Sequence, residues 1–514
     1  MASADDDRPL VESRHPVALS VFVLLGVLIQ VLDATIANVA LPHMQASLSA
    51  TPDSISWVLT SYIIASAMVI PATGWLANRM GARALFIGSV ALFMTASALC
   101  GIAANLPQMV AFRILQGIGG AALMPLGQSI LLNTHPPSRH PQTLAYYSMG
   151  VTVGPVIGPI IGGWLTENFN WRWIFLVNLP IGAVCLVGLW LLMPPMRSTP
   201  RRFDVGGWLM IAIGLAAFQL LLDRGEHVDW FNSAECWIEA GVALSAFWMF
   251  CVHSAFVAHP LIPGALLKDR NFVIGSIFQF TLAIVQFASL ALLPTMMQTL
   301  FGYPVLETGI LLATRGIAVV CSLWVAGKLV GRVGAVPLAM IGLIGMSYSV
   351  WLMTGWSLDM DQGPIVISGF LQGAAQGMIF LPLSVLVFST IPADLRTDAS
   401  GVTSLFRNTG GSIGIAMVST VFARNIQISH ADLAAHVTPY NLPIDPSLVN
   451  RLGDVGSEAL GVVDGIVNRQ ATMIAFLDSF QMMFLVSLLV TPLLLLVRKG
   501  RPPAAEDLQA VPHE

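Results

Sequence analysis

The sequence predicts an all-α polytopic membrane protein: two six-helix bundles plus two inserted helices, about 14 transmembrane helices in all. Composition is the first ground. Hydrophobic residues make up 55% of 514 residues and charged residues only 10%, with a mean hydropathy of +0.76. A soluble domain carries about 25% charged residues, so a cytosolic enzyme, a disordered chain and a nucleic-acid binder are all excluded. The net charge of -4 leaves no excess of basic surface for nucleic acid. The second ground is a series of apolar runs of about 20 residues, the length that crosses the hydrocarbon core. The third is the placing of the basic residues, which favour alternate loops.

In order, the predicted spans cover 16–41, 55–78, 83–104, 106–132, 141–166 and 171–193, then 205–223 and 234–256, then 271–299, 307–330, 335–356, 363–389, 399–424 and 476–497. The N-terminal run, after Asp5-Asp6-Asp7, is long enough to span and lacks a cleavage site, so it is expected to be a retained anchor. An even number of spans puts both termini on one side. With that side cytoplasmic, about 16 basic residues outside the spans fall on it and about 5 on the other, as the positive-inside rule requires. The expected organisation is a cytoplasmic tail (1–15), an N-terminal bundle (16–193), an inserted pair (205–256), a C-terminal bundle (271–497) and a cytoplasmic tail (498–514). Trp57, Trp164, Trp171, Trp173, Trp230, Trp237 and Trp356 lie near outer ends, as in an interfacial belt. The polar stretch 425–475 is expected as a long periplasmic loop with room for short helices and for a docking partner. The five cysteines fit neither a disulfide framework nor a metal site, and four lie in apolar runs as small buried hydrophobes.

Two segments recur. Gly74-Trp-Leu-Ala-Asn78-Arg79-Met-Gly81-Ala82 is echoed by Gly327-Lys-Leu-Val-Gly-Arg332-Val-Gly334-Ala335. Leu115-Gln116-Gly117 is echoed by Leu371-Gln372-Gly373. The offsets of 253 and 256 residues exceed the length of six helices by about two more. The pattern is therefore a duplicated six-helix unit with a two-helix insertion, and internal duplication marks transporters.

The few charges inside the spans are the candidate site. Asp33 lies about 12 Å below the outer end of span 1 at 1.5 Å per residue. A carboxylate at that depth costs at least about 2.5–3.5 kcal/mol on insertion scales, so it should face a wet cavity. A carboxyl titrating there is what proton coupling needs. Arg113 lies at about the same depth in span 4 and needs a counter-charge, so the two are expected to be electrostatically coupled, with or without direct contact. Span 5 carries Gly150, Gly154, Pro155, Gly158, Pro159 and Gly162; glycine every four residues permits close helix approach, and the prolines bend the helix. The turn with Gly74, Asn78, Arg79, Gly81 and Arg83 can latch an inner gate by bonding acids or helix C-termini. Asn38, Gln116, Gln279, Gln286, Arg315, Gln376 and Arg407 are candidates to line a substrate cavity. Arg315 and Arg407 can counter an anionic substrate, pair with Asp33 or serve structure.

These residues resemble the major facilitator superfamily, and within it the 14-span drug:proton antiporter-2 family of EmrB/QacA type, nearer to EmrB. Leu32-Asp33-Ala-Thr35-Ile-Ala-Asn38-Val-Ala-Leu41-Pro42 resembles the family's span-1 motif, Arg113 to Ala122 its span-4 motif, and Gly150 to Gly163 its antiporter signature. Trp171-Arg172-Trp173 through Asn178-Leu-Pro180 resembles its entry to span 6. Asn78 departs from the pattern, standing where the family has aspartate, which weakens the acid-based relay at the inner gate. The resemblance implies a non-enzymatic efflux antiporter of the inner membrane that exchanges protons for amphipathic drugs or toxic compounds. Asp33 would be the proton carrier, Arg113 its partner, and span 5 the seal between halves. It also implies an EmrA-like periplasmic membrane-fusion adaptor, an outer-membrane channel, and no cofactor beyond the proton gradient. No GxxxxGK[ST] motif for ATP occurs, and neither HExxH nor CxxC for metal. Metabolite uptake by symport and a transporter-like membrane sensor are the alternatives.

Overall fold

A computed structural model describes residues 8–196, 202–437 and 456–496. Thirteen of the described helices are long and apolar enough to cross a membrane. The first six are α1 Pro16–Ser47, α2 Trp57–Met80, α3 Ala82–Ile102, α4 Leu106–Thr134, α5 Pro137–Asn168 and α6 Trp173–Leu192. The inserted pair is α7 Val205–Arg224 and α8 Ala234–Phe256. The last six are α9 Arg270–Thr299, α10 Val305–Val333, α11 Ala335–Met353, α12 Gln362–Ser389, α13 Arg396–Ala435 and α14 Gly456–Val490.

The fourteenth long helix, α13, falls short of that apolarity. It packs between α9, α14 and the end of α4, so its polar residues meet protein rather than lipid. The predicted loop over 425–475 is corrected at both ends: α13 continues to Ala435 and α14 begins at Gly456, so the last span starts well before residue 476. Asn425 donates to Asp478 (3.0 Å) and His430 pairs with Asp464 (2.9 Å), tying the two extensions together. Pro439, Pro443 and Pro446 lie outside the described residues. Two of the expected belt tryptophans turn inward instead: Trp171 and Trp356 are buried. Of the cysteines, Cys251 and Cys321 face outward rather than into the core.

The internal repeat is a repeat of geometry. Gly81 ends α2 at φ 84° and Gly334 ends α10 at φ 92°, a backbone that favours glycine. An added methyl at Gly117 would meet the Tyr62 carbonyl and Ala65; at Gly373 it would meet the Arg315 carbonyl and Ala318. Arg315 thus holds in the second half the place of Tyr62 in the first. Gly154 and Gly158 seat α5 on Val31 and Thr35 of α1, while Gly410 and Gly414 seat α13 on Phe280 and Ile284 of α9. The glycine stripe of α5 therefore packs inside its own half. The contact with the other half lies on a different face, where Val156 and Ile160 meet Gly316 and Gly309 of α10.

The inserted α7 rests on both α2 and α13, whereas α8 packs chiefly on α7. Thr60 donates to Asp223 (2.5 Å), and Trp208 to the Met68 carbonyl (3.0 Å), fastening α7 to α2. At the other end Asp204 caps α7 through the Gly207 amide (2.8 Å) and bonds His253 (2.7 Å). Burial opposes its charge, but these bonds outweigh burial and hold the Asp204 carboxyl below its ordinary pKa.

Packing at the stripe is testable. Gly158→Val drives side-chain atoms into Thr35 and is expected to destabilise by about 1–3 kcal/mol, seen as a lower melting midpoint in detergent. Gly241→Ala, whose methyl meets nothing within 4 Å, should leave the midpoint unchanged or raise it.

Candidate functional site

Asp33, Arg113, Asp398 and Arg407 are the charged residues buried as whole residues among the described residues. The first two are in direct contact. Arg113 Nη1 donates to Asp33 Oδ2 at 2.6 Å, and both side chains are fully buried. Asp33 Oδ1 accepts from Gln116 Nε2 (2.8 Å) and from Asn178 Nδ2 (3.0 Å). Arg113 also donates from Nε to the Val58 carbonyl (2.8 Å) and from Nη1 to Gln116 Oε1 (2.8 Å). The Tyr62 ring centre lies 4.3 Å from its guanidinium carbon, and that of Phe175 lies 5.6 Å away.

Four helices supply this cluster. The α1 turn carrying Asp33 is held against α5 by Gly154 and Gly158, and Thr35 donates to the Gly154 carbonyl (3.4 Å). In α4, Gly117, one residue past Gln116, lies against the α2 backbone at Tyr62, which keeps Arg113 within reach of Val58. Asn178 at the start of α6 is oriented by Ser97 (3.1 Å), itself bonded to the Phe175 carbonyl (2.9 Å). The expectation that Asp33 faces a wet cavity is corrected: the carboxylate is enclosed within the first six helices. Burial is tolerable because the opposite charge and the amide donors replace water. Removing one member of such a pair costs about 3–5 kcal/mol, since the other is left buried and uncompensated. Two atoms of the cluster, Arg113 Nη2 and Asn178 Oδ1, are buried without partners.

The other predicted residues scatter. Gln116 joins the cluster, whereas Asn38 is exposed and bonds its own helix at Ala34 (3.4 Å). Gln279 and Gln376 are buried and Gln286 half-buried, none in this cluster. Neither Arg315 nor Arg407 bonds Asp33. Arg407 contacts Met124 Sδ (3.2 Å) where α13 meets α4. Among the described residues neither loop arginine bonds the second half. Arg83 donates to the Trp190 carbonyl (2.8 Å) at the C-terminal end of α6, and Arg79 is exposed.

One end of the junction between the halves is closed by residues that the motifs did not single out. Ser129 bonds Thr397 (2.8 Å), Ser400 donates to Gln128 (2.6 Å), and Arg396 donates to Asn133 (2.9 Å). Asp398 lies over Gly74, so closely that a methyl there would strike its carboxylate. This seam joins the end of α4 to the start of α13. Two apolar grooves of about 320 and 430 Å³, lined by Tyr348 and Trp351 and by Ile317 and Phe370, lie on the outer surface away from these residues.

Residues 23–415 match the family description Major Facilitator Superfamily. The chain belongs to that family. It is 34% identical over 483 residues to the fatty acid resistance protein FarB of Neisseria gonorrhoeae, covering 93% of this chain and 95% of that one. It is also 34% identical to the multidrug export protein EmrB of Escherichia coli K12, covering 92% and 94%. Solved structures share the fold at lower identity. A double-tryptophan XylE mutant matches with a TM-score of 0.58 at 14% identity (95% and 100% covered), and the human organic anion transporter MFSD10 with 0.58 at 13% (92% and 99%). The chain is a multi-pass membrane protein with a transporter fold.

The seam predicts a cross-link. In a cysteine-free background, Ser129→Cys with Thr397→Cys should form a disulfide on oxidation, since the two hydroxyls lie 2.8 Å apart. Transport should stop and return on reduction, whereas either single variant should stay active.

Proposed function

We propose that this protein is a proton-coupled exporter of amphipathic small molecules in the inner membrane, working by alternating access. The observation that carries the reading is the sealed Asp33–Arg113 pair with its Gln116 and Asn178 donors. The names of the relatives, multidrug export and fatty acid resistance, agree with export.

In this reading a proton on Asp33 removes the negative charge that Arg113 needs. The Arg113 guanidinium is then a buried cation without a counter-ion, a state that costs several kcal/mol. The chain relieves that cost by moving α1 against α4, and the strain is passed to the α4–α13 seam, because one helix carries both Arg113 and Ser129. Opening the seam admits substrate from the cytoplasm. Losing the proton to that side restores the pair and closes it. Exchange of inward protons for outward substrate follows, because each orientation is stabilised by only one of the two cargoes. Uptake by symport has no comparable support among these contacts.

The extensions of α13 and α14 offer the surface on which a periplasmic membrane-fusion adaptor docks, continuing towards an outer-membrane channel. Ile428 on this surface is 58% exposed, a costly side chain to leave in water. A photo-cross-linker at position 428 should capture such an adaptor in native membranes, and capture of none would remove docking there. For coupling, Asp33→Asn in inside-out vesicles should abolish export driven by a pH gradient. Asp33→Asn export that persists unchanged with the gradient would refute the proton role.

A further inference from the structure

The helix that holds Arg113 from the side of α2 is broken. α2 is α-helical over Trp57–Val69, tightens to a 3-10 turn over Ile70–Ala72 and resumes over Thr73–Met80. Pro71 is the cause: it has no amide to give the Ala67 carbonyl, and its ring bends the helix. α10, which matches α2 in the repeat, holds no proline and runs unbroken from Val305 to Val333.

The break separates two contacts. The piece before it holds Arg113, through the Val58 carbonyl (2.8 Å) and the Tyr62 ring (4.3 Å). The turn at the break and the piece after it carry α13: a methyl at Gly401 would meet the Ile70 carbonyl and Thr73, and one at Gly74 would strike the Asp398 carboxylate. With a backbone bond missing between them, the two pieces can flex against each other, and a shift of the first need not reach the second.

The inserted helix α7 fastens both pieces. Before the break, Thr60 donates to Asp223 (2.5 Å) and Trp208 Nε1 donates to the Met68 carbonyl (3.0 Å). After the break, Trp75 lies against Phe203, just ahead of α7, with ring centres 4.3 Å apart, and Phe203 neighbours Trp208 in turn (6.1 Å). Trp208 therefore bonds one piece and adjoins the ring that rests on the other. Ile211 and Leu215 of α7 share one buried apolar cluster with Ile70 at the break and Leu405 of α13.

We propose that α7 is a splint that makes the broken α2 act as one lever, so that movement at the Asp33–Arg113 pair reaches the α13 contact at Gly74. Trp208, Phe203 and Thr60 are its positioning residues, and the inserted pair is a working part of the transporter rather than a spacer between the halves. The inference rests on proton coupling through Asp33. The titratable neighbours of Asp33 are Arg113, Tyr62 and Cys100. Trp208, Phe203 and Thr60 do not titrate, so any effect they have on a pH profile passes through the lever.

The test follows two signals against pH in the full chain in lipid nanodiscs. One is the spin-label distance across the α4–α13 seam; the other is the infrared carboxyl band of protonated Asp33, identified by its loss in D33N. In the wild type the two should change together. In W208F, F203A and T60V the Asp33 band should still appear as pH falls. With Asp33 fully protonated, the ratio of open to closed seam should nevertheless drop about five-fold in each, the scale of one hydrogen bond or aromatic contact. By linkage the Asp33 band should also move to lower pH, because protonation is no longer rewarded by opening. A merely structural role would lower the melting midpoint and leave both signals in step. Wild-type opening and a wild-type Asp33 midpoint in all three variants overturn the splint alone. A wild-type seam that ignores the Asp33 band overturns proton coupling and the splint with it. Should W208F not fold, F203A decides, since Phe203 lies ahead of the membrane helix.

Discussion

A carboxylate and a guanidinium with no route to water must neutralise each other, and here that need fixes where four helices meet. Asp33 on α1 and Arg113 on α4 share one short bond, while the α2 carbonyl at Val58 and Asn178 on α6 add further bonds to them. None of these helices can shift alone without stranding a polar atom, at about 1–3 kcal/mol for each neutral group and more for a charge. The glycines of α5 serve the same end, since they let α1 lie close enough for Asp33 to be held in place. The first half is thereby a rigid unit while the pair is intact, and a strained one once the pair is neutralised.

The second half repeats this construction without its ion pair. Its glycines at 410 and 414 press α13 on α9 as those at 154 and 158 press α5 on α1. Ser289 and Gln372 form a neutral copy of the Asp33–Gln116 contact. A symmetric backbone with asymmetric charge divides the labour. The first half holds a closed electrostatic lock, and the second has a hydroxyl, Ser289, where the first has its acid. The seam between Ser129, Gln128 and Asn133 on α4 and Thr397, Ser400 and Arg396 on α13 is one of the places where the two meet. The loop motif lacks its usual acid at Asn78, yet an acid is present over the same turn, because Asp398 reaches Gly74 from the opposite half.

Much of this was legible in the sequence. Fourteen spans are read from apolar runs, and thirteen of the described helices are long and apolar enough to cross. The electrostatic coupling of Asp33 with Arg113 follows from the cost of isolated charge at equal depth, whereas their direct contact does not. The repeat offset revealed the pseudo-symmetry before any coordinate. What was hidden depended on neighbours distant in the chain. The enclosure of Asp33 could not be read, because a depth along a helix does not say which face is covered. Asn178 stood in a quoted motif, but only its bond to the carboxylate shows its use. The seam residues are small polar side chains with no local signature. The helices beyond residues 425 and 456 were read as loop because polar composition suits both states. That Arg315 stands in for Tyr62 emerges only when the glycine contacts of the two halves are compared.

The central claim is that protonation of Asp33 opens the α4–α13 seam. The distance between spin labels on the inner ends of α4 and α13 tests it directly when followed against pH in the wild type and in Asp33→Asn. In the wild type the distance should lengthen as pH falls. In Asp33→Asn, which cannot ionise, the long distance should persist at every pH. A variant that titrates like the wild type would contradict the account, since the proton that moves the seam would then bind elsewhere.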